Sequence, residues 1–455
     1  MITARLSELV GALETRFIKG DAAFTGVSTD SRTTRPGELF VALRGERHDG
    51  HDHVAAAAAA GAAAAIVEHE LPLELPQLVS LDSLEALGRI ARVWRERTHA
   101  RIVGITGSNG KTTVKTLAAS ILSRSFRCHV NAGNLNNEIG LPLSLLRMPA
   151  QTEVALLEMG AGKPGDIAYL ADIARPDVAV VNNVAAAHLA RLGSLDGVAE
   201  TKGAIYAALP ADGIAVINVD CAYAERFAAL AGGRRVIRFG LERPADVAAR
   251  IRTLGATTRF ELLLGAAVLD VDLPLAGRHN VRNALAAAAL ALASGASAIS
   301  IKDGLEQVQG VAGRLTRHTL ASGVVLIDDS YNANPGSVAA AIETLALETG
   351  ERWLVLGNMA ELGGDAEKLH AEIGTKARAS GIDRLVTVGA LAAAASERFG
   401  ANAEHHATQD GAIASLRAHL RPGTTVLVKG SRSSAMENVV NALLGKPAGE
   451  NAHAA

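Results

Sequence analysis

The run Gly104-Ile105-Thr106-Gly107-Ser108-Asn109-Gly110-Lys111-Thr112-Thr113 has the residue types of a phosphate-binding loop. Gly107, Ser108, Asn109 and Gly110 form a small-residue turn whose backbone N–H groups can curl around phosphate oxygens. A helix opening at Lys111, Thr112 and Thr113 would aim its partly positive end at the same anion. Lys111 can bridge the outer phosphates, and the Thr112 hydroxyl can hold magnesium. The general pattern puts its first glycine five residues before the second. Ile105 stands there, with glycines at 104 and 107. A plain turn ahead of a core helix is the alternative. The strand-like residues before, the helix-like residues after and Lys-Thr-Thr together favour a nucleotide and an ATP-using enzyme.

Magnesium needs further oxygen ligands. Glu158 ends the strand-like run "EVALLE", where a charge is costly without a partner or a metal. His188 follows the next strand-like run at "NNVAAAHL", and Lys202 follows fourteen residues later in a helix expected from about Gly197. Singly, these are a satisfied structural acid, a surface histidine and a solvated lysine. Their common place at the carboxyl edge of one sheet favours a site. His48, His51 and His53 lie close together but lack nearby cysteines, so zinc is not expected there.

The elements that must position these residues fall into three blocks, giving an α/β fold. Residues 1–98 hold short strands such as "GELFVAL", an alanine-rich stretch from Val54 to Val67 expected to form a buried helix, and a helical stretch through Trp94. Residues 99–312 alternate strand-like and helical runs, the pattern of a parallel sheet covered by helices. Within them "RFELLLGAAVLDVDLPL" reads as an antiparallel addition, followed by the helix "HNVRNALAAAALALA". Residues 313–447 repeat the strand, loop, helix rhythm of a Rossmann-like domain, without a GxGxxG fingerprint. The tail, 448–455, is expected to be disordered.

Composition excludes several classes. The 455 residues carry a formal net charge of -2 and only 3% aromatics, which leaves neither an electrostatic footprint for nucleic acid nor a stacking surface for bases. Cys128 and Cys221, the only cysteines, form no disulfide framework and suit a reducing compartment. No apolar run reaches the roughly 20 residues of a membrane span, and the N-terminus lacks a signal core, so a cytoplasmic location is expected.

The ordered motifs "STDSR", "GELFVALRGERHDGHDH", "GITGSNGKTTVK", "GNLNNEIGLPLSLL", "EMGAGKPGDI", "AHL" with Lys202, "GRHNVRNALAA", "DDSYNANP" and "KGSRSSAME" resemble the Mur ligase family over about residues 25 to 440. The resemblance is strongest to members that add D-Ala-D-Ala to UDP-N-acetylmuramoyl-tripeptide, and the variant loop is that family's normal form. It implies a central ATPase domain between a small UDP-sugar-binding domain and a Rossmann-like domain. By the same resemblance, Lys111 and the loop bind ATP. Thr112 and Glu158 hold one magnesium ion, His188 helps hold a second, and Lys202 is carbamylated and also serves the metal. Asn280 and Arg314 contact the nucleotide, with Asp329 near the ribose. Ser28, Thr29, Asp30, Ser31 and Arg32, with Asn134 and Asn137, serve the UDP-sugar peptide. A monomer is expected.

The chain departs from the family pattern at Asn358, Ala186, Ala190 and Gly162, none of them a proposed metal or phosphate ligand. The ligase that adds the third amino acid carries Asp-Asn-Pro-Arg in its last block, which is absent here, and folate polyglutamate ligases lack the first block. A non-catalytic nucleotide-binding scaffold would not need Glu158, His188 and Lys202 together.

Overall fold

The computed structural model describes residues 1–446 apart from Glu14, Arg47, Ala187 and His188. The expectations for His188 and for the tail 448–455 therefore lie outside the described residues.

The centre of the molecule is a nine-stranded sheet. Arg101–Thr106 is an interior strand, third from one edge, paired in parallel with Val154–Glu158 on one side and Val178–Val181 on the other. Side chains alternate strictly along these strands. Ile102, Ala155, Leu157 and Val181 enter one core, whereas Val103, Ile105, Leu156 and Val180 enter the other, beneath the helices Lys111–Leu122 and Arg278–Ala293. Both faces are thus covered, which is why the strands read as near-continuous apolar runs. The alternation also explains the unusual glycine spacing of the loop. Ile105 fills the core under the phosphate helix, while Gly104 faces the opposite layer, where a Cβ would come within 2.9 Å of Ile205 and 3.2 Å of Pro176. At the far edge, Thr258–Leu264 and Ala267–Leu273 form the expected antiparallel addition.

The N-terminal residues build a five-stranded sheet in the order Thr15–Lys19, Gln77–Ser80, Ala64–Val67, Leu39–Val41, Val27–Ser28. One helix expected from the sequence is corrected here. Val54–Val67 is a short helix, Val54–Ala59, followed by a turn and the buried strand Ala64–Val67. Gly61 at φ +96° ends the helix, and a Cβ there would meet Pro36 at 3.1 Å. Ala64 to Val67 then lie between two strands as a parallel-paired ribbon.

Helix Ser83–Glu96, capped by the Asp82 carboxylate on the Glu85 amide, joins this sheet to the centre. Its apolar stripe, Leu87, Ile90, Ala91 and Trp94, shares one core with Leu141, Leu145, Leu170 and Ile173 of the helices Gly140–Arg147 and Asp166–Ala174. The Trp94 indole and the Met1 ammonium both donate to the Met148 carbonyl, at 3.1 and 2.6 Å.

The last sheet has six strands in the order Thr316–Thr319, Val325–Asp329, Thr424–Lys429, Glu351–Gly357, Arg384–Val388, Ala403–His406, parallel except for the first pair. Among the described residues no helix is long and apolar enough to cross a membrane.

Candidate active site

Three strand ends, Thr106, Glu158 and Val181, reach the same edge of the central sheet, and the phosphate loop crosses it. The loop depends on its two turn glycines. Gly107 (φ +147°) packs against Asn182, where a Cβ would lie 3.1 Å from the asparagine Cβ. Gly110 (φ +79°) would drive a Cβ to 2.4 Å from Asn283 Oδ1. Between them, Asn109 is held by its neighbours. Its amide donates to Asn183 Oδ1 at 2.8 Å, and its carbonyl accepts from Asn182 Nδ2 and Asn183 Nδ2. The Ser108 hydroxyl donates to the Ala185 carbonyl at 3.1 Å. The following helix begins at Lys111, so Lys111, Thr112 and Thr113 occupy its first turn, where unpaired N–H groups and the helix dipole favour an anion. Lys111 Nζ donates to the Gly107 carbonyl at 2.9 Å, which folds the cation over the loop.

Glu158 is 3% exposed and sits at the centre of a polar cluster. Its Oε2 accepts from the Thr112 hydroxyl at 2.8 Å, and its Oε1 accepts from Asn136 Nδ2 at 2.8 Å. Burial pushes its carboxyl up, but Lys111, Lys115, the Thr112 hydroxyl and Arg314 outweigh that and hold it below the usual range. Desolvation lowers Lys111, with Glu158 opposing the shift. An ionised carboxylate beside a threonine hydroxyl is a hard-oxygen donor pair, so these residues fit magnesium. Lys202 lies on the helix Leu195–Ala207 and is 1% exposed; burial, with repulsion from Lys111, lowers its ammonium to about 7.

A cavity of about 1120 Å³ opens above the loop, lined by residues from all three blocks. Ser108 to Thr113, Glu158, Asn134, Asn137, Asn280, Arg314 and Asp329 all line it. Asn280 belongs to a relay in which its Oδ1 accepts from Asn283 Nδ2, and Asn283 Oδ1 accepts from Asn182. Arg314 donates to the Thr112 hydroxyl at 2.9 Å and stacks 4.3 Å over the Tyr331 ring. The next residue, Leu315, has φ +55°, one of four non-glycine residues in the left-handed region among the described residues. Such strain persists where surrounding contacts over-determine it. Desolvation raises the Asp329 carboxyl, although Lys429 opposes this from 2.6 Å.

The Ser28–Arg32 turn is not among the residues lining that cavity. It is closed on itself. Arg32 donates to both Asp30 oxygens, which holds the Asp30 carboxyl to about 2, and Thr34 and buried Ser28 secure the Asp30 carbonyl. Among the described residues of the first block, it is Glu46 that reaches the cavity. His51 uses both ring nitrogens within the protein, donating to Asp49 through Nδ1 and accepting the Glu68 amide at Nε2. Asn358 is likewise occupied, accepting from the Ala392 amide through Oδ1 and from Ser431 and Ser434 through its carbonyl.

Sequence reasoning missed four contributors: Lys115, Asn136, Asn334 and Lys429. Asn334 Nδ2 donates to Asn109 Oδ1 at 2.7 Å, bringing the last block onto the loop. Lys115 stands one helical turn after Lys111, the one clue in the sequence to its role.

Comparison with known proteins settles the family. Three profiles match in order: "Mur ligase family, catalytic domain" over residues 23–95, "Mur ligase middle domain" over 105–291, and "Mur ligase, glutamate ligase domain" over 313–432. The chain belongs to the Mur ligase family. As a Mur ligase it is an ATP-dependent enzyme that forms amide bonds. It is similar to the UDP-N-acetylmuramoyl-tripeptide–D-alanyl-D-alanine ligase of Escherichia coli, 44% identical over 97% of this chain and 99% of the relative. The Bacillus subtilis ligase of the same name is 35% identical over 93% of each chain. Among solved structures, MurF from Acinetobacter baumannii superposes with a TM-score of 0.93 at 34% identity, covering 98% of this chain and 99% of that one. MurF from Thermotoga maritima, solved with ADP, gives 0.84 at 28% identity, covering 93% and 97%.

Proposed function

We propose that this Mur ligase joins D-Ala-D-Ala to UDP-N-acetylmuramoyl-tripeptide in cytoplasmic peptidoglycan precursor synthesis. The observation that carries the chemistry is the Lys111, Thr112 and Glu158 constellation at the base of a cavity walled by all three blocks of one chain. The names of the relatives support the substrates. A monomer is the assembly state of this reading.

In this reading residues 1–98 bind the UDP-sugar through Ser28 to Arg32. Residues 99–312 bind ATP and the acceptor peptide, using the loop, Asn280, Asn134 and Asn137. Residues 313–447 bring Arg314 and Asp329 to the nucleotide and deliver the dipeptide. A terminal oxygen of the tripeptide carboxylate attacks the γ-phosphorus, and the bond to the β-γ bridging oxygen breaks to release ADP. The dipeptide amine then attacks the acyl carbon, the carbon–oxygen bond to phosphate breaks, and the nitrogen gives up a proton. Lys111 follows the charge that gathers on the phosphoryl oxygens. Arg314 holds the Thr112 hydroxyl in place, and Asn109, locked by Asn182 and Asn183, fixes the loop amides.

Thr112 and Glu158 would hold a first magnesium ion, and His188 is assigned to a second; bound magnesium would neutralise phosphate charge. Lys202 is assigned as a carbamate. Its neutral amine adds to the carbon of carbon dioxide with loss of a proton, and its lowered ammonium near 7 supplies that neutral form.

The test is phosphate release from the purified protein with ATP, magnesium and the UDP-tripeptide, with and without D-Ala-D-Ala. Release that needs both, with a UDP-pentapeptide product by mass, is expected. Release that needs a UDP-dipeptide and a single amino acid would retire the substrate pair and leave the nucleotide site standing.

A further inference from the structure

Lys115 is a buried cation on the phosphate helix, and no step above uses it. Its side chain is 5% exposed. The ammonium donates to the Asn131 carbonyl at 2.7 Å and the Gly133 carbonyl at 3.4 Å, and lies 3.7 Å from Glu158 Oε2. Asn131, itself 1% exposed, is tied back by its side chain. Its Nδ2 donates to the Leu135 and Glu158 carbonyls, and its Oδ1 accepts the Glu158 amide at 2.9 Å. Asn136 completes the circuit, donating to Glu158 Oε1 and accepting the Gly160 amide at its carbonyl.

This circuit joins two surfaces of the cavity. On one side stands the helix that opens at Lys111. On the other runs the segment 131–139, which contributes Asn134, Asn136, Asn137 and Glu138 to the lining before it turns into the helix Gly140–Arg147. The turn is tight, since a Cβ at Gly140 would fall 2.5 Å from Leu135 Cα. Asn131 Nδ2 on the Leu135 carbonyl, the Leu135 amide on the Ala132 carbonyl and the Asn136 amide on the Asn134 carbonyl tie the segment to itself, so a shift at Asn131 moves the exposed asparagines with it. A buried ammonium is costly unless its hydrogen bonds are met, and here they go to backbone carbonyls of this segment. Carbonyls fix a backbone, whereas a simple charge partner would need only Glu158.

We propose that Lys115 is a positioning residue for ligation, setting the 131–139 segment, and with it the acceptor peptide, at a fixed distance from the phosphate loop. The proposal rests on the assignment of the acceptor in the preceding section.

Lys115→Met keeps the length of the side chain and removes its donors; Lys115→Arg restores them. Calorimetric binding of UDP-N-acetylmuramoyl-tripeptide and of ADP is measured for each, alongside steady-state constants. Lys115→Met is expected to weaken tripeptide binding and raise its KM by about tenfold, the scale of one lost charge-assisted hydrogen bond. ADP affinity should stay within about threefold, and Lys115→Arg should recover most of the loss. Wild-type tripeptide affinity in Lys115→Met, or an equal loss for ADP and tripeptide, would overturn the proposal. If Lys115→Met does not fold, Asn136→Ala carries the test by cutting the same segment from Glu158. The same acceptor-selective loss supports the proposal, and unchanged tripeptide binding defeats it. A wild-type protein that ignores the tripeptide defeats the acceptor assignment instead, so the two failures are distinguishable.

Discussion

The phosphate loop and the Ser28–Arg32 turn are both assigned to phosphate-bearing ligands, yet they are built in opposite ways. Apart from the Lys111 bond to the Gly107 carbonyl, the side-chain bonds that shape the loop come from far along the chain. Asn109 is held across 74 residues by Asn183, Thr112 across 46 by Glu158, and Thr112 across 202 by Arg314. The turn is local. Ser28 and Arg32 are bonded to Asp30 two residues away, and its longest bond in this set spans six, from Thr34 to Ser28. The loop residues Ser108 to Thr113 are half-buried, whereas the Arg32 side chain is 86% exposed. The difference teaches where each kind of work is done. Charge development in the reaction needs donors fixed in advance by the whole fold, while a surface turn can grip a substrate end that does not react.

That contrast predicts a graded series of losses. Lys111→Ala should lower ADP formation by about 100- to 1,000-fold, the scale for removing a fixed donor at a developing charge, with the protein still folded. Near-normal ADP formation would move the nucleotide site elsewhere. Lys202→Ala should cost about 100-fold in ligation, as for lost groups around a metal, and formate or acetate should restore part of it. A fully active variant would remove the carbamate role. Arg32→Ala should raise the KM for the UDP-tripeptide by about tenfold and leave kcat within about twofold, the signature of uniform binding. An equal fall in kcat would erase the distinction between the two regions. The smallest effect on turnover belongs to a buried tie between two strands of the central sheet. The Tyr206 hydroxyl accepts the Val181 amide at 2.8 Å and donates to the Val216 carbonyl at 2.7 Å. Tyr206→Phe strands both buried groups and should cost about 1–3 kcal/mol of stability by denaturant titration, with turnover near wild type.

Much of the fold was legible because parallel strands buried on both faces announce themselves as short apolar runs between helices. The phosphate loop was legible for a related reason, since its function resides in consecutive residues. Other parts were not. Alanine carries little periodicity, so Val54–Val67 read as one helix although Gly61 divides it into a helix and a strand. The reason Ile105 stands where the general pattern has a glycine lies in the strand's alternation, which places it in the core. Lys115, and Lys429 with its bond to Asp329 across 100 residues, were hidden because their partners are neighbours only in the folded chain. The Ser28–Arg32 motif was easy to find, but its separation from the lining of the cavity had no trace in the sequence.

The central claim is that the loop activates a carboxylate by phosphoryl transfer, and oxygen tracing tests it most directly. UDP-N-acetylmuramoyl-tripeptide labelled with ¹⁸O in its terminal carboxylate would be turned over with ATP and D-Ala-D-Ala, and the released phosphate analysed by mass. The account predicts one labelled oxygen in each phosphate from a fully labelled acceptor, carried across when the acyl–oxygen bond breaks. Phosphate free of label, alongside a normal pentapeptide product, would contradict it.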